Sequence, residues 1–99
     1  MAKTPEGEVK KLIDKVLKAA PQCFVTKPVV GPYGSTMLDY EGCSKGRYFA
    51  IEAKRPDVHE PTTRQQDRMT DIEDAGGKTF FINGKQEQLD ALRDWLHSP

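Results

Sequence analysis

Arg47-Tyr48-Phe49-Ala50-Ile51-Glu52-Ala53-Lys54 is the clearest strand in the chain. Successive strand side chains point to opposite faces, so Phe49, Ile51 and Ala53 share one face, and Tyr48, Ala50, Glu52 and Lys54 share the other. Working upstream, Gly42 to Gly46 turns the chain and Met37 to Glu41 reads as a short strand. Gly31 to Thr36 is a turn-rich loop. Cys23 to Val30 reads as another strand, placed at an edge or ended by Pro28, whose nitrogen cannot donate to a ladder. Glu6 to Ala20 carries Val9, Leu12, Ile13, Val16, Leu17 and Ala20 at helical spacing. Thr4 caps that helix, Pro5 suits its first position and Pro21 stops it. Lys10, Lys11, Lys15 and Lys18 lie off the apolar stripe and read first as a solvated face, with a phosphate-facing role as the alternative.

Downstream, Arg55 to Pro61 is a polar loop. A helix from Thr63 to Ala75 turns Met69, Ile72 and Ala75 inward and ends at Gly76-Gly77, as a C-terminal glycine should. Thr79 to Asn83 is a buried strand closed by Gly84. Lys85 to His97 is the last helix, with Leu89, Leu92 and Leu96 on one stripe and Trp95 beside it. The predicted order is α-β-β-β-α-β-α, and strands punctuated by helices make a layered α/β domain.

Composition narrows the functional classes. The chain has 99 residues, expected as a single domain over 1–99 without repeats, and its 15 Lys+Arg balance 15 Asp+Glu. A polybasic tail that adheres to nucleic acid by bulk charge is therefore excluded, and any such contact must use local patches. No apolar run approaches the ~18 residues of a membrane span, and the N-terminus has no signal-peptide core. Cys23 and Cys43 form no metal-ligand motif, and His59 and His97 add no tight spacing, so no zinc is expected. Two free thiols suit a reducing cytoplasm.

The chemistry concentrates between Asp39 and Gln65. Asp39 on one strand can meet Glu52 across a hairpin, with Lys54 on the same face as Glu52. Two carboxylates converging with a backbone carbonyl, such as that of Ala53, make an all-oxygen site suited to Mg²⁺ or Mn²⁺. A lysine there can orient or deprotonate a water and offset phosphoryl charge. The Glu-x-Lys triplet is cheap in so charged a chain: Glu8-Val9-Lys10 is a second copy, in a helix where it cannot act as a unit. The competing explanation of Glu52 and Lys54 is a surface ion pair. Gln65 shares a helix face with Met69 and Ile72 and should point at the sheet, needing a partner there. Its alternative is the capping box Thr62-x-x-Gln65, although Thr63-x-x-Gln66 fits that box equally well.

A helix glutamate (Glu8), Gly34-x-x-x-x-Asp39, Ile51-Glu52-Ala53-Lys54, Pro61-Thr62-Thr63-Arg64-Gln65 and Ala75-Gly76-Gly77 follow one another in an order that resembles the VRR-NUC family. These are virus-type replication-repair nucleases of the PD-(D/E)xK superfamily. The likeness runs from about Glu8 to Asn83. Leu38 stands where many members have proline, a departure that touches no ligand. The resemblance implies a restriction-endonuclease-like core, a small mixed sheet flanked by helices. It also implies a metal-dependent DNA endonuclease, selective for Holliday junctions or other branched DNA, in phage or bacterial replication and repair. Such an enzyme would work in the cytoplasm, the host's if phage-encoded. Asp39 and Glu52 would hold the metal with the Ala53 carbonyl, Glu8 (or Glu6) would supplement it, Lys54 would serve the nucleophile and Gln65 would position. Glu8 could equally be a first-turn acid favoured by the helix dipole.

Lys45, Arg47, Arg55, Arg64 and Arg68 are candidates for DNA-backbone contact, each with ordinary surface charge as its alternative. Symmetric junction cutting requires two sites, hence a homodimer. Trp95 and Val29-Val30 are candidate interface residues, and Gly31 to Thr36 a candidate hinge for exchange between protomers. A non-cleaving branched-DNA-binding or protein-interaction module and a toxin-like ribonuclease are the competing functions.

Overall fold

The computed structural model describes residues 4–29 and 37–99. Val30 and the hinge expected at 31–36 lie outside the described residues. The elements are α1 (Pro5–Ala19), β1 (Cys23–Thr26), β2 (Tyr40–Ser44), β3 (Arg47–Ala53), α2 (Thr63–Asp74), β4 (Lys78–Ile82) and α3 (Gln86–His97). This is the expected α/β order, and the sheet is mixed. Its strands run β1-β2-β3-β4, antiparallel between β1, β2 and β3 and parallel between β3 and β4. The parallel pair needs a crossover, and α2 supplies it.

The strand parity read from the sequence divides the molecule into three layers. Phe49, Ile51 and Ala53 of β3 join Tyr40, Phe80 and Ile82 in a core closed by Val9, Ile13 and Leu17 of α1 and Leu89, Leu92 and Leu96 of α3. Each such side chain contributes about 1.5–3 kcal/mol on burial, so this face supplies most of the stability. Trp95 packs edge-on against Phe49 and Phe80, both with ring centroids at 5.7 Å, and Arg47 lies over it at 4.2 Å. Trp95, expected as a candidate interface residue, is only partly buried: one part of its ring packs on the core of its own protomer.

The opposite face is polar, and α2 lies over it without one fully buried side chain. Met69 and Ile72 are half-buried, whereas Ala75, expected inward, is exposed. Gly76, at φ +95°, ends α2, and the Gly77 amide donates to the Ile72 carbonyl at 2.9 Å, completing a Schellman cap. At the other end the Gly7 amide donates to the Thr4 hydroxyl at 2.9 Å and caps α1 as expected.

The strand expected over Cys23 to Val30 ends at Thr26, two residues before Pro28, and boundaries also move around Gly42. The expected turn Gly42 to Gly46 contracts to Lys45-Gly46, whose φ values of 53° and 81° suit a two-residue hairpin turn. Gly42 instead sits within β2, where an added Cβ would lie 2.2 Å from the Phe24 carbonyl oxygen. Close approach of β1, not a turn, requires glycine there. The strand expected over Met37 to Glu41 therefore starts at Tyr40, and Asp39 stands immediately before it.

Candidate active site

Tyr40 opposes Ile51, so one step further Asp39 opposes Glu52. The Ala53 amide donates to Asp39 Oδ2 at 2.8 Å, and the side chain thus continues the ladder where β2 has ended. A strand residue's N–H and C=O point to the same neighbour. The Ala53 carbonyl therefore faces Asp39, while the Lys54 amide faces the other way and donates to the Ile82 carbonyl at 3.0 Å. Asp39 and Glu52 fall at a position where opposed side chains approach most closely.

Glu52 is 2% exposed. Its Oε2 accepts from Gln65 Nε2 at 2.9 Å and lies 3.4 Å from Lys54 Nζ. Its Oε1 is buried and has no hydrogen-bond partner. Burial, followed by the Asp39 charge, pushes the carboxyl up to about 7, and Lys54 acts in the opposite direction. An isolated surface ion pair would show neither this burial nor this shift.

Gln65 resolves both of its expected roles at once. Its Oε1 accepts from the Thr62 amide at 2.9 Å, and its own amide donates to the Thr62 hydroxyl at 3.2 Å, a complete capping box. Its Nε2 remains to hold Glu52. The cap fixes the carboxamide in one orientation and so aims the donor at the carboxylate. Gln66, the alternative box residue, donates instead to the Pro61 carbonyl at 2.8 Å.

The structure does not bring Glu8 to this cluster. Its side chain is 51% exposed and lies 3.7 Å from Lys11 Nζ. Lys10, two residues on and so about 200° around the helix, reaches Asp39 Oδ1 at 3.5 Å and Glu6 Oε2 at 3.3 Å. Glu6 is thus the helix acid linked to the site, through Lys10. Among the described residues no group of three or more acidic, histidine or cysteine side chains is arranged to hold a metal. Two carboxylates and a carbonyl facing them, with one carboxylate oxygen orphaned, nevertheless fit a hard divalent cation whose remaining positions are water.

The candidate DNA-contacting cations divide. Arg47 donates to the Trp95 carbonyl at 3.0 Å and to Ser98 Oγ at 3.0 Å, and Lys45 donates to the Ser98 carbonyl at 2.9 Å. Both therefore fasten the C-terminal end of α3, on the core face of the sheet. Arg55, exposed in the loop after Lys54, pairs with Asp57 at 2.9 Å. Arg64 is exposed on the first turn of α2. Arg68 lies one turn beyond Gln65 and pairs with Glu41 at 3.2 Å.

Two residues near the site, Glu41 and Asn83, escaped sequence reasoning. Glu41 receives Tyr48 Oη at 2.5 Å as well as Arg68, which ties α2 to the sheet two residues from Asp39. Asn83 extends the register beside Lys54; its Nδ2 donates to the Val58 carbonyl at 2.9 Å and its Oδ1 is buried without a partner. Lys10 was named in the sequence only with Lys11, Lys15 and Lys18, as part of a solvated or phosphate-facing surface; the structure singles it out at Asp39. No protein-family model, curated protein or solved structure matches the chain.

Proposed function

We propose that the chain is a divalent-metal-dependent nuclease of the VRR-NUC type, hydrolysing phosphodiester bonds in DNA and selecting branched substrates. One observation carries this: a buried carboxylate with a raised pKa and an orphaned oxygen opposes a second carboxylate and has a lysine at its side. Burial of that kind is costly for stability and common where charge is put to chemical use. The superfamily assignment rests on the order of motifs, together with the mixed sheet that carries them.

Asp39, Glu52 and the Ala53 carbonyl would hold Mg²⁺ or Mn²⁺. A bound ion of this class supplies Lewis-acid stabilisation of phosphoryl oxygens and a more acidic water. Lys54, beside Glu52, orients the attacking water and offsets charge as its oxygen bonds to phosphorus and the P–O ester bond breaks. Gln65 keeps Glu52 in one rotamer. With both carboxylates engaged by a cation, Lys54 would lose its counter-charge and Lys10 would keep only the exposed Glu6, which favours an anionic substrate such as a phosphodiester backbone.

Symmetric junction cutting calls for a twofold dimer. The apolar side chains exposed for an interface include Phe24, 68% exposed on β1, and Val29, 88% exposed, with Trp95 partly buried against the core. Binding without cutting is the second function considered, favoured by the lack of a third acid at the site among the described residues.

The test is incubation of supercoiled plasmid and a synthetic four-way junction with Mg²⁺, Mn²⁺ or EDTA, with the mass in solution read by light scattering. Cleavage should need the metal, vanish in Asp39→Asn and Glu52→Gln, and fall by several orders of magnitude in Lys54→Ala with metal affinity retained. Full activity in EDTA rules out the mechanism. Tight junction binding without any cut establishes the binding module instead, and a monomer that cuts one strand only excludes the dimer.

A further inference from the structure

Lys10 is held over the site by more than its charge. The hydroxyl of Tyr40, the residue next to Asp39, lies 3.3 Å from the Lys10 carbonyl and 2.9 Å from Asp14 Oδ1. Tyr40 is buried in the core, so it pins this turn of α1 to the start of β2. The Lys10 ammonium, on a side chain 36% exposed, then meets Asp39 Oδ1 at 3.5 Å and Glu6 Oε2 at 3.3 Å. Partial burial acts to lower its pKa, but the charges of Asp39 and Glu6 outweigh it and hold the group protonated.

Without an ion, Asp39 faces Lys10 and Glu52 faces Lys54, with Glu6 as a second acid on Lys10. A divalent cation on the two carboxylates would then repel both ammonium groups, as like charges a few ångströms apart do. Lys54 flanks the reacting position. Lys10 enters from α1 on a flexible four-carbon stem, with the exposed Glu6 as its remaining partner, an i,i+4 pair of little strength.

Resting on the metal-nuclease function above, we infer that Lys10 is an exchangeable counter-ion of Asp39. It occupies the carboxylate until a divalent cation takes it, and the released ammonium then binds a phosphate of the nucleic acid. Metal and DNA binding are thereby coupled through one side chain. The coupling requires no movement of the backbone, only a change of partner at Lys10 Nζ.

Calorimetric titration of the full chain with Mn²⁺ tests the first half. Lys10→Gln should bind Mn²⁺ about tenfold more tightly than wild type, the scale of one competing charge near a divalent ion. Lys11→Gln removes the same formal charge from the Glu8 side of the helix and should stay within about twofold of wild type. Lys10→Arg should restore the wild-type affinity.

The second half is read by fluorescence anisotropy of labelled junction DNA in a Lys54→Ala background, which keeps both carboxylates. Mn²⁺ should strengthen DNA binding there, and adding Lys10→Gln should remove most of that gain. Equal Mn²⁺ affinities for wild type and Lys10→Gln would overturn the exchange. An undiminished Mn²⁺-dependent gain in DNA affinity would overturn the hand-over to phosphate. Absence of Mn²⁺ binding in wild type and Lys10→Gln alike would instead remove the metal site on which the exchange rests.

Discussion

Glu52→Gln should make the metal-free protein more stable, increasingly so as the pH rises. The carboxyl is buried beside Asp39 and its pKa is raised from 4.5 to about 7. A folded-state value above the unfolded one means that the folded chain holds its proton longer. The stabilisation associated with that proton is fully present below pH 4.5 and is lost as pH rises through about 7. A rise of this size corresponds to on the order of 3 kcal/mol of lost stability above the upper value. In a domain of this length that is roughly 10–20 °C in Tm. Glutamine keeps an acceptor for Gln65 and cannot ionise; it surrenders only the contact with Lys54. Melting curves by circular dichroism in EDTA, from pH 5 to 8.5, give the test. The Tm difference between Glu52→Gln and wild type should widen from pH 5 to about 7 and level off above it. Saturating Mn²⁺ at pH 8 should raise the Tm of wild type and leave Glu52→Gln unmoved. A difference that stays constant with pH would refute the claim that burial strains this carboxylate.

Two further substitutions separate roles that one residue combines or that sequence and structure assign differently. Gln65→Ala should cost about 1 kcal/mol in urea unfolding through the lost cap, and should also weaken Mn²⁺ binding. Gln65→Glu should regain the cap, because glutamate serves a capping box equally well, yet leave Mn²⁺ binding impaired, since it has no donor for Glu52. Trp95→Ala should destabilise by less than the about 3–5 kcal/mol of a fully buried aromatic, because its ring is partly buried, without altering the mass seen by light scattering; dissociation at unchanged stability would place Trp95 at an interface.

Local periodicity carried much of this protein. The alternation from Arg47 to Lys54 placed Glu52 and Lys54 on one face and the apolar residues on the other before any packing was known, because strand geometry is a property of consecutive residues. The caps at Thr4 and at Gly76-Gly77 were legible for the same reason. Gly42 shows where such reasoning stops. A glycine amid turn-forming neighbours reads as a turn, and only the close approach of the Phe24 carbonyl, from a strand distant in sequence and leaving no room for a Cβ, reveals why it belongs to β2.

The site divides along the same line. Asp39, Glu52, Lys54 and Gln65 were readable as a set, since a hairpin register and a helix face bring them together. That Gln65 caps its helix and holds Glu52 at once was not, because two local patterns competed for one side chain and only the distance between α2 and β3 shows that both are met. The exchange of Glu8 for Lys10 depended on tertiary structure entirely. Both lie in the first turns of α1, and composition does not choose between them. The rotation of α1 about its axis does, set by Val9, Ile13 and Leu17 in the core and by the Tyr40 hydroxyl at the Lys10 carbonyl. The sequence by itself determined which residues share a strand face or a helix turn. The burial that raises the Glu52 pKa, and the choice of the helix side chain that meets Asp39, came from packing between elements far apart in the chain, which no local period encodes.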